Sequence, residues 1–320
     1  MIRINGKEFP SRWEELSPQQ WLGVVDAMLE FGAGRCDFNA FQFRIVEAIV
    51  GKLPQDPGNA VLCENVFRLS EVFSWPYVYS YRDQRYEHLS DGMKELLRHH
   101  LPSQLDQSDP EVRVASSFEA QVRFDLCFAA QLLPVLPSDG SCRGYAFSLS
   151  GSLAHTDITA AQYVTATGLM EMLSGADSEY PDEVLSSLLS VLYPMPGEKD
   201  SVRPAGHISH TEKMAVMLNF QAVIEWISRI PKYDLLFHRA SGAKYSSPLG
   251  MEGSLYTLSE KGYGDIDKVG GMNLFTYLDV LLKQTVDSIH SLNSCRMKPQ
   301  EIASELNLSV EQVLRIITKS

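Results

Sequence analysis

The chain has 320 residues, 44% hydrophobic and 21% charged, a balance typical of a globular protein that buries a core. Its net charge of −12 and the absence of a long Lys or Arg run argue against binding to nucleic-acid phosphates and favour protein partners. The N-terminus lacks the apolar stretch of a secretory signal, and no apolar run is long enough to span a membrane, so we expect a cytoplasmic protein without membrane contact.

The N-terminal third predicts a β-hairpin followed by helices. Ile2 and Ile4 alternate with polar residues before Asn5-Gly6, a pair that tolerates the positive φ of a type I′ turn. Ser17 is predicted to cap the first helix, and Pro18 suits its first turn. The apolar residues of this helix share one face. They are Trp21, Val24, Val25, Met28 and Phe31.

A second helix is predicted from the cap at Asp37 to Gly51, and further helices over 60–75 and 90–101. The aromatic segment YVYSYRDQRY between the last two is compatible with a strand or an extended edge. The polar residues 103–112 predict a boundary between two domains. The segment SFEAQVRFDLCFAAQLL that follows favours a helix, with a strand as the alternative.

In the rest of the chain, PSDGSCRG predicts a tight loop and YAFSLSG a short strand. Helices are predicted near 158–174, 181–193, 211–229 and 272–292. The expected fold is therefore mainly α: a helical bundle with an N-terminal β-hairpin and minor β elements. Three domains are expected, at 1–108, 109–292 and 293–320.

Two segments of the chain resemble each other at a constant spacing. LSPQQWLGVVDAM (Leu16 to Met28) aligns with ITAAQYVTATGLM (Ile158 to Met170), and the same offset aligns FRIVEAIVG with LSSLLSVLY. Duplication of a helical module explains this spacing. Two amphipathic helix pairs that match only through their shared period explain it as well.

Few residues are candidates for chemistry. GSCRG around Cys142 has the pattern of a nucleophile elbow, but a strand-like segment follows it where an elbow requires a helix, so we interpret it as a hairpin loop. His207, His210 and Glu212 could share a metal, yet Pro204 and Gly206 place His207 in a loop and Thr211 is predicted to cap a helix. The sequence therefore predicts no catalytic residue, metal or cofactor.

Three smaller features have simple interpretations. His155 and Asp157 precede a helix that Thr156 or Asp157 is predicted to cap. YGDIDKVGG lacks the ligand series of a calcium loop and is predicted to be a turn. The five cysteines, none spaced as CxxC, are interpreted as small buried hydrophobic residues in a reducing compartment.

The C-terminal segment EIASELNLSVEQVLRII has the pattern of a helix-turn-helix with its turn at Asn307 to Ser309. Burying Val313 and Ile316 would turn five residues outward: Val310, Glu311, Leu314, Arg315 and Thr318. Two of these five side chains are apolar and one is acidic, whereas a DNA-reading helix presents polar and basic groups. We therefore predict that Val310, Leu314 and Arg315 contact protein.

Longer motifs resemble a known family. LNFQAVIEWISRIPKYDLLF and GYGDIDKVGGMNLFTYLDVLLKQ, preceded by ITAAQYVTA and LLSVLYPMPG, resemble in their order a family of mostly uncharacterised proteins from tail-gene regions of Bacteroidetes prophages. The resemblance extends over residues 155–290. It implies a tail component or assembly factor that contacts the tape-measure protein or tail tube, in the host cytoplasm or the virion. The family supplies no catalytic residues to carry over.

The function expected from the sequence is thus non-enzymatic, in phage or prophage tail assembly through protein–protein contacts. One alternative is a DNA-binding regulator that uses the C-terminal segment. Another is a cysteine hydrolase that uses Cys142.

Overall fold

The computed structural model describes residues 1–4, 6–53, 59–151, 153–174, 181–194, 208–237 and 252–318. The chain forms two compact units, Met1–Leu126 and Cys127–Ser320. Both contain helices and small antiparallel sheets, so the predicted mainly α fold with minor β elements is confirmed. The finer division predicted at residues 108 and 292 remains a prediction.

In the first unit, a β-hairpin leads into a pair of packed helices, and a second two-stranded sheet lies further along the chain. Three short 3-10 turns lie at Trp13–Glu15, Gln84–His88 and Pro102–Gln104. The helices and strands are β1 (Ile2–Ile4), β2 (Lys7–Phe9), α1 (Pro18–Gly32), α2 (Phe38–Val50), α3 (Ala60–Val72), β3 (Tyr77–Tyr81), α4 (Asp91–His99), α5 (Pro110–Ala115) and β4 (Ala120–Phe124).

The predicted starts of α1 and α2 are confirmed by their capping bonds, whereas the helices predicted over 60–75 and 90–101 span Ala60–Val72 and Asp91–His99. The Ser17 hydroxyl accepts a hydrogen bond from the Gln20 N–H, and the Asp37 carboxylate accepts one from the Ala40 N–H at 2.8 Å. α2 ends at Gly51, whose φ of 96° lies in the left-handed region that favours glycine. On the predicted apolar face of α1, all residues are buried except Phe31, which is half-buried.

The segment after residue 117 corrects a prediction. Ala120–Phe124 is a strand and not a helix, and β4 pairs antiparallel with β3 from Tyr77↔Phe124 to Tyr81↔Ala120. β3 presents three buried tyrosines, and the ring of Phe124 packs edge-on against Phe41 with centroids 5.5 Å apart. Cross-strand contact with this aromatic surface outweighs the helix propensity of the segment.

The second unit begins with two β-hairpins and continues as helices. β5 pairs with β6 and β7 pairs with β8, each antiparallel. A 3-10 turn at Pro231–Tyr233 precedes α9. The helices and strands are β5 (Val135–Leu136), β6 (Asp139–Arg143), β7 (Phe147–Ser150), β8 (Leu153–Thr156), α6 (Ala160–Ser174), α7 (Asp182–Leu192), α8 (His210–Ser228), α9 (Asp234–Phe237), α10 (Glu252–Glu260), α11 (Ile266–Gly270), α12 (Leu274–Ser294), α13 (Pro299–Leu306) and α14 (Val310–Ile317).

Buried polar residues of α8 hold the irregular chain that precedes β6. The side chain of Asn219, which is 0% exposed, accepts a hydrogen bond from the Leu132 N–H at 2.7 Å and donates one to the Ala130 carbonyl at 2.8 Å. The carboxylate of Glu212 accepts a bond from the Ser138 N–H at 2.9 Å. These side chains satisfy backbone groups that no sheet or helix satisfies.

Glu212 thus has a structural role, and the cap of α8 differs from the predicted one. Ser209, not Thr211, is the N-cap, and Glu212 completes the capping box at the third helical position. Burial raises the pKa of Glu212, but the hydrogen bonds from Ser138 and Ser209 outweigh burial and hold that pKa below its ordinary value.

The two segments that resemble each other share one hydrogen-bond arrangement. In α1, the side-chain oxygen of Gln20 accepts a bond from the Ser17 N–H at 2.9 Å, while its amide nitrogen donates to the Ile49 carbonyl at 2.8 Å. The same glutamine therefore closes the capping box of the first helix and ties that helix to the last turn of the second.

The arrangement recurs at the aligned residues of the later segment. The oxygen of Gln162 accepts a bond from the Thr159 N–H at 3.0 Å, and its amide nitrogen donates to the Val191 carbonyl at 3.0 Å. α6 begins and ends at the positions that the alignment pairs with the ends of α1, and α7 ends where it pairs with the end of α2. A shared helical period does not require a shared inter-helix hydrogen bond, so these matches favour duplication of a hairpin and two helices.

The second helices match less closely than the first. When α2 and α7 are aligned by the constant spacing, the buried residues of α7 lie one position further along the chain than the positions that pair with the buried residues of α2. The buried residues in question are Ile45, Val46 and Ile49 in α2 and Leu188, Leu189 and Leu192 in α7.

Replacing either glutamine by alanine tests whether the two helix pairs are built alike. We expect Gln20→Ala and Gln162→Ala each to lower the free energy of unfolding of its own unit by about 1–2 kcal/mol, because each removes a cap and leaves a helix carbonyl unsatisfied. Urea unfolding of both variants provides the measurement. Gln19→Ala, an exposed neighbour, is the control and should change stability by less than about 0.5 kcal/mol. If only one of the two glutamine substitutions destabilises its unit, the two helix pairs are not built alike.

Candidate protein-binding surface on the C-terminal helices

The predicted helical hairpin at the C-terminus is present. α13 and α14 are joined at Asn307, which adopts the left-handed conformation at φ 54°. Ser309 caps α14, since its hydroxyl accepts a hydrogen bond from the Gln312 N–H at 3.1 Å and the Gln312 side chain accepts one from the Ser309 N–H at 2.9 Å. Asparagine tolerates a positive φ, and serine and glutamine form a capping box, so local residues account for the turn.

A small hydrophobic cluster fixes the hairpin against the end of α12 and against α9. Val310 and Ile316 are partly buried and pack against this cluster. The predicted burial of Val313 is therefore confirmed, whereas Ile316 is only half-buried and Val310 faces the chain's own core in part. The cluster consists of Leu235, Ile289, Ile302, Ala303, Leu308 and Val313.

Asp234, at the start of α9, binds α14 through polar contacts. The amide nitrogen of Gln312, a buried residue, lies 3.3 Å from both the carbonyl oxygen and the carboxylate of Asp234. The guanidinium of Arg315 forms an ion pair with the same carboxylate. Neither contact was anticipated, because the partners are separated by 78 and 81 residues in sequence.

Tyr233 anchors this end of α9 to α12. Its buried hydroxyl donates a hydrogen bond to the Asp279 carboxylate at 2.8 Å, and its ring stacks on Phe275. Burial and this bond raise the pKa of Tyr233 further above neutral pH, where a tyrosine hydroxyl already carries its proton and can donate. Asp234 follows directly in the chain and is therefore held in place for Gln312 and Arg315.

The outward face of α14 combines an exposed leucine with a carboxylate. Leu314 is 43% exposed, and Glu311 and Thr318 beside it on the helix are exposed as well. Of the three residues predicted to contact protein, Leu314 and Arg315 are exposed, although Arg315 is paired with Asp234, and Val310 packs partly inward. An acidic, apolar face with its arginine paired is suited to protein and poorly suited to phosphate.

A groove of about 200 Å³ lies between α12 and the turn of the hairpin. The side-chain nitrogen of Gln284 is buried and, among the residues described, meets no hydrogen-bond acceptor. Such a donor is costly to leave unpaired. The groove is lined by Leu235, Leu281, Gln284, Thr285, Ser288, Leu306 and Leu308.

Cys142 lies in β6 and not in the predicted tight loop. Its side chain is fully buried, and its thiol donates a hydrogen bond to the Asp139 carboxylate at 2.7 Å. The next regular element is strand β7, so the strand-to-helix turn of a nucleophile elbow is absent at this position. The second glycine of the GSCRG pattern, Gly144, is explained by packing, because a Cβ there would lie 2.6 Å from the Tyr193 ring.

The other candidate residues are dispersed or structural. His210 is the first residue of α8, His155 is exposed in strand β8, and His207 lies outside the described residues. Thr159 caps α6 through Gln162, whereas Thr156 and Asp157 bond to the backbone of Ala146, which corrects the predicted cap.

The glycine-rich segment and the cysteines also differ from their predicted roles. Asp265 caps the short helix α11 where only a turn was predicted. Cys142 is buried as expected, but Cys36 and Cys127 are half-buried and Cys63 and Cys295 are exposed. In the part of the chain that the structure describes, no group of three or more His, Cys, Asp or Glu side chains is arranged to hold a metal ion.

No helix among the described residues is both long and apolar enough to cross a membrane. No protein-family model matches the sequence, and comparison with curated proteins and with solved structures finds no match.

Proposed function

We propose that the protein is a non-enzymatic component or assembly factor of a phage or prophage tail, which acts in the host cytoplasm or the virion through protein–protein contacts. The order of motifs over residues 155–290, similar to that of a family from prophage tail-gene regions, supports this role. The expected partner is the tape-measure protein or the tail-tube protein.

The observation that carries the proposal is the exposed face of α14. Leu314 faces solvent beside Glu311, while Arg315 is occupied by Asp234. An exposed leucine on a short helix, held by a buried cluster beneath it, can insert into an apolar groove of a partner without rearrangement of the hairpin. Pre-ordering of the helix limits the entropy that binding would cost.

Replacing Leu314 by Asp tests this surface. We expect Leu314→Asp to weaken binding to the tape-measure or tail-tube protein of the same prophage about tenfold to a hundredfold, because burial of a leucine contributes about 1.5–3 kcal/mol. Isothermal titration calorimetry with each purified tail protein measures the affinity. Val61→Asp, at an exposed apolar position in the first unit, is the matched control and should retain binding. Failure of the unmodified protein to bind either partner would contradict the proposal.

A DNA-binding regulator is the second candidate, because α13, the turn at 307–309 and α14 have the form of a helix-turn-helix. Binding of the same purified protein to duplex DNA, measured at low and at moderate salt, distinguishes the two candidates. Phosphate contacts would cause a steep loss of duplex affinity between low and moderate salt, and Arg315→Ala would abolish that binding. This outcome would contradict the tail role and support the DNA-binding regulator. A hydrolase receives no support from the position of Cys142.

A further inference from the structure

The C-terminal hairpin of α13 and α14 is joined to the rest of its unit through a small apolar contact. Of the six buried residues in its cluster, four belong to the hairpin itself, and only Leu235 of α9 and Ile289 of α12 lie outside it. Leu282, Val286 and Leu292 of α12 also pack against the cluster but are only partly buried. A segment with few buried contacts to its surroundings can open without unfolding the core.

The connections at both ends of α13 turn through left-handed residues. Arg296, between α12 and α13, has a φ of 63°, and Asn307, between α13 and α14, has a φ of 54°. Among the residues that the structure describes, these are the two non-glycine residues with a positive φ. Asparagine tolerates this conformation, whereas arginine adopts it at an energetic cost. Movement of the hairpin about residues 295–298 would let Arg296 leave the left-handed region, so this connection favours opening.

The contact between the hairpin and α12 is also incomplete. The groove of about 200 Å³ lies at their boundary, between Leu281 of α12 and both Leu306 and Leu308 of the hairpin. Apolar side chains that line a groove lack contact atoms on one side, so they stabilise docking less than close-packed side chains do. The docked hairpin therefore depends on its polar contacts as well.

The polar contacts of α14 with α9 converge on Asp234. The carbonyl oxygen and the carboxylate of Asp234 each lie 3.3 Å from the Gln312 amide nitrogen, and the carboxylate pairs with Arg315. The side chains of this ion pair are 45% exposed in Arg315 and 30% exposed in Asp234, so salt weakens their attraction. One carboxylate thus ties the last helix of the hairpin to the rest of the unit.

We propose that α13 and α14 form a latched arm, which opens from α12 and α9 while the rest of the second unit stays folded, and that Asp234 is its latch. Opening frees Arg315 and exposes the inner side of α14, where Val313 is buried and Ile316 is partly buried in the docked arm. The latch therefore controls whether this apolar side is accessible. The inference is independent of the tail role, because it concerns an equilibrium within this chain.

Hydrogen–deuterium exchange of the full chain, over a series of urea concentrations below the unfolding transition, tests the latched arm. In the unmodified protein, amides of α13 and α14 should exchange through an opening that depends weakly on urea. Amides of α8 should exchange only through unfolding of the unit, which depends steeply on urea because it exposes more surface.

Replacing Asp234 by Asn tests the latch. The substitution removes the charge but keeps the main-chain carbonyl and a side-chain oxygen, so the fold should persist. We expect Asp234→Asn to speed exchange in α13 and α14 about threefold to tenfold and to leave exchange in α8 unchanged. Added salt should speed exchange of the arm more in the unmodified protein than in this variant. Asp287→Asn is the matched control, because this exposed carboxylate of α12 pairs with Lys283 of the same helix, and it should exchange like the unmodified protein.

Three results would overturn the proposal. If the amides of α13, α14 and α8 share one steep urea dependence, the arm does not open separately. If the amides of α13 and α14 exchange as fast as those of an unfolded peptide, the arm is not docked. If Asp234→Asn leaves exchange of the arm unchanged, or speeds exchange in α8 equally, or if Asp287→Asn has the same effect, Asp234 is not the latch.

Discussion

Asn219→Leu is expected to lower the free energy of unfolding of the second unit by about 2–5 kcal/mol. Leucine has a similar size but leaves the Leu132 N–H and the Ala130 carbonyl without their partner, and each buried unsatisfied group costs about 1–3 kcal/mol. The side chain is fully buried, so water cannot replace the amide without opening the structure.

Hydrogen–deuterium exchange at a series of urea concentrations measures this loss separately for the two units. Asn293→Leu is the matched control, because Asn293 is exposed on α12 in the same unit, and its effect should stay within about 0.5 kcal/mol. Equal stability of the two variants would show that Asn219 does not hold the chain before β6.

Gly144→Ala is expected to destabilise the second unit by about 1–3 kcal/mol. The added Cβ would lie 2.6 Å from two ring carbons of Tyr193, closer than real contacts allow. The ring cannot easily retreat, since Tyr193 is 0% exposed and its hydroxyl donates a hydrogen bond to the Leu133 carbonyl at 2.5 Å. The substitution therefore requires either the loss of the Tyr193 hydrogen bond or a shift of the backbone at residue 144.

Gly140→Ala serves as the control, because a Cβ at this exposed position in β6 meets no atom within 4 Å. Chemical unfolding of both variants gives the comparison, and in a double-mutant cycle Gly144→Ala should cost less in a Tyr193→Leu background than in the unmodified protein, because the ring is absent. If the two alanine variants are equally stable, the packing of Tyr193 on the backbone is not the reason for glycine at 144.

Local chemistry determined much of the helical framework. The caps at Ser17, Asp37 and Ser309, the end of α2 at Gly51 and the turn at Asn307 follow from hydrogen bonds or φ preferences within a few residues. Such interactions are present in the sequence itself, which is why the boundaries of α1, α2, α13 and α14 were predictable.

The candidate surface was predictable only in part. The amphipathic spacing of α14 placed Leu314 outward and Val313 inward, as observed. It could not show that Arg315 and Gln312 bind Asp234, because that carboxylate is brought close by the packing of Tyr233 on α12. A helical period specifies which side of a helix is apolar, but not which distant residue covers the other side.

Tertiary structure alone decided the strand at Ala120–Phe124, the burial of Cys142 in β6 and the contact of Tyr193 with Gly144. The first depends on pairing with β3, about forty residues earlier, and the other two on close packing between segments. Gln20 and Gln162 depend on both local and tertiary interactions. Each caps its own helix through a hydrogen bond to a residue nearby in sequence, but its bond to the second helix forms only when the two helices pack. Hydrogen bonds and packing contacts between distant segments leave no periodic trace in the sequence, because their geometry is set after the chain has folded.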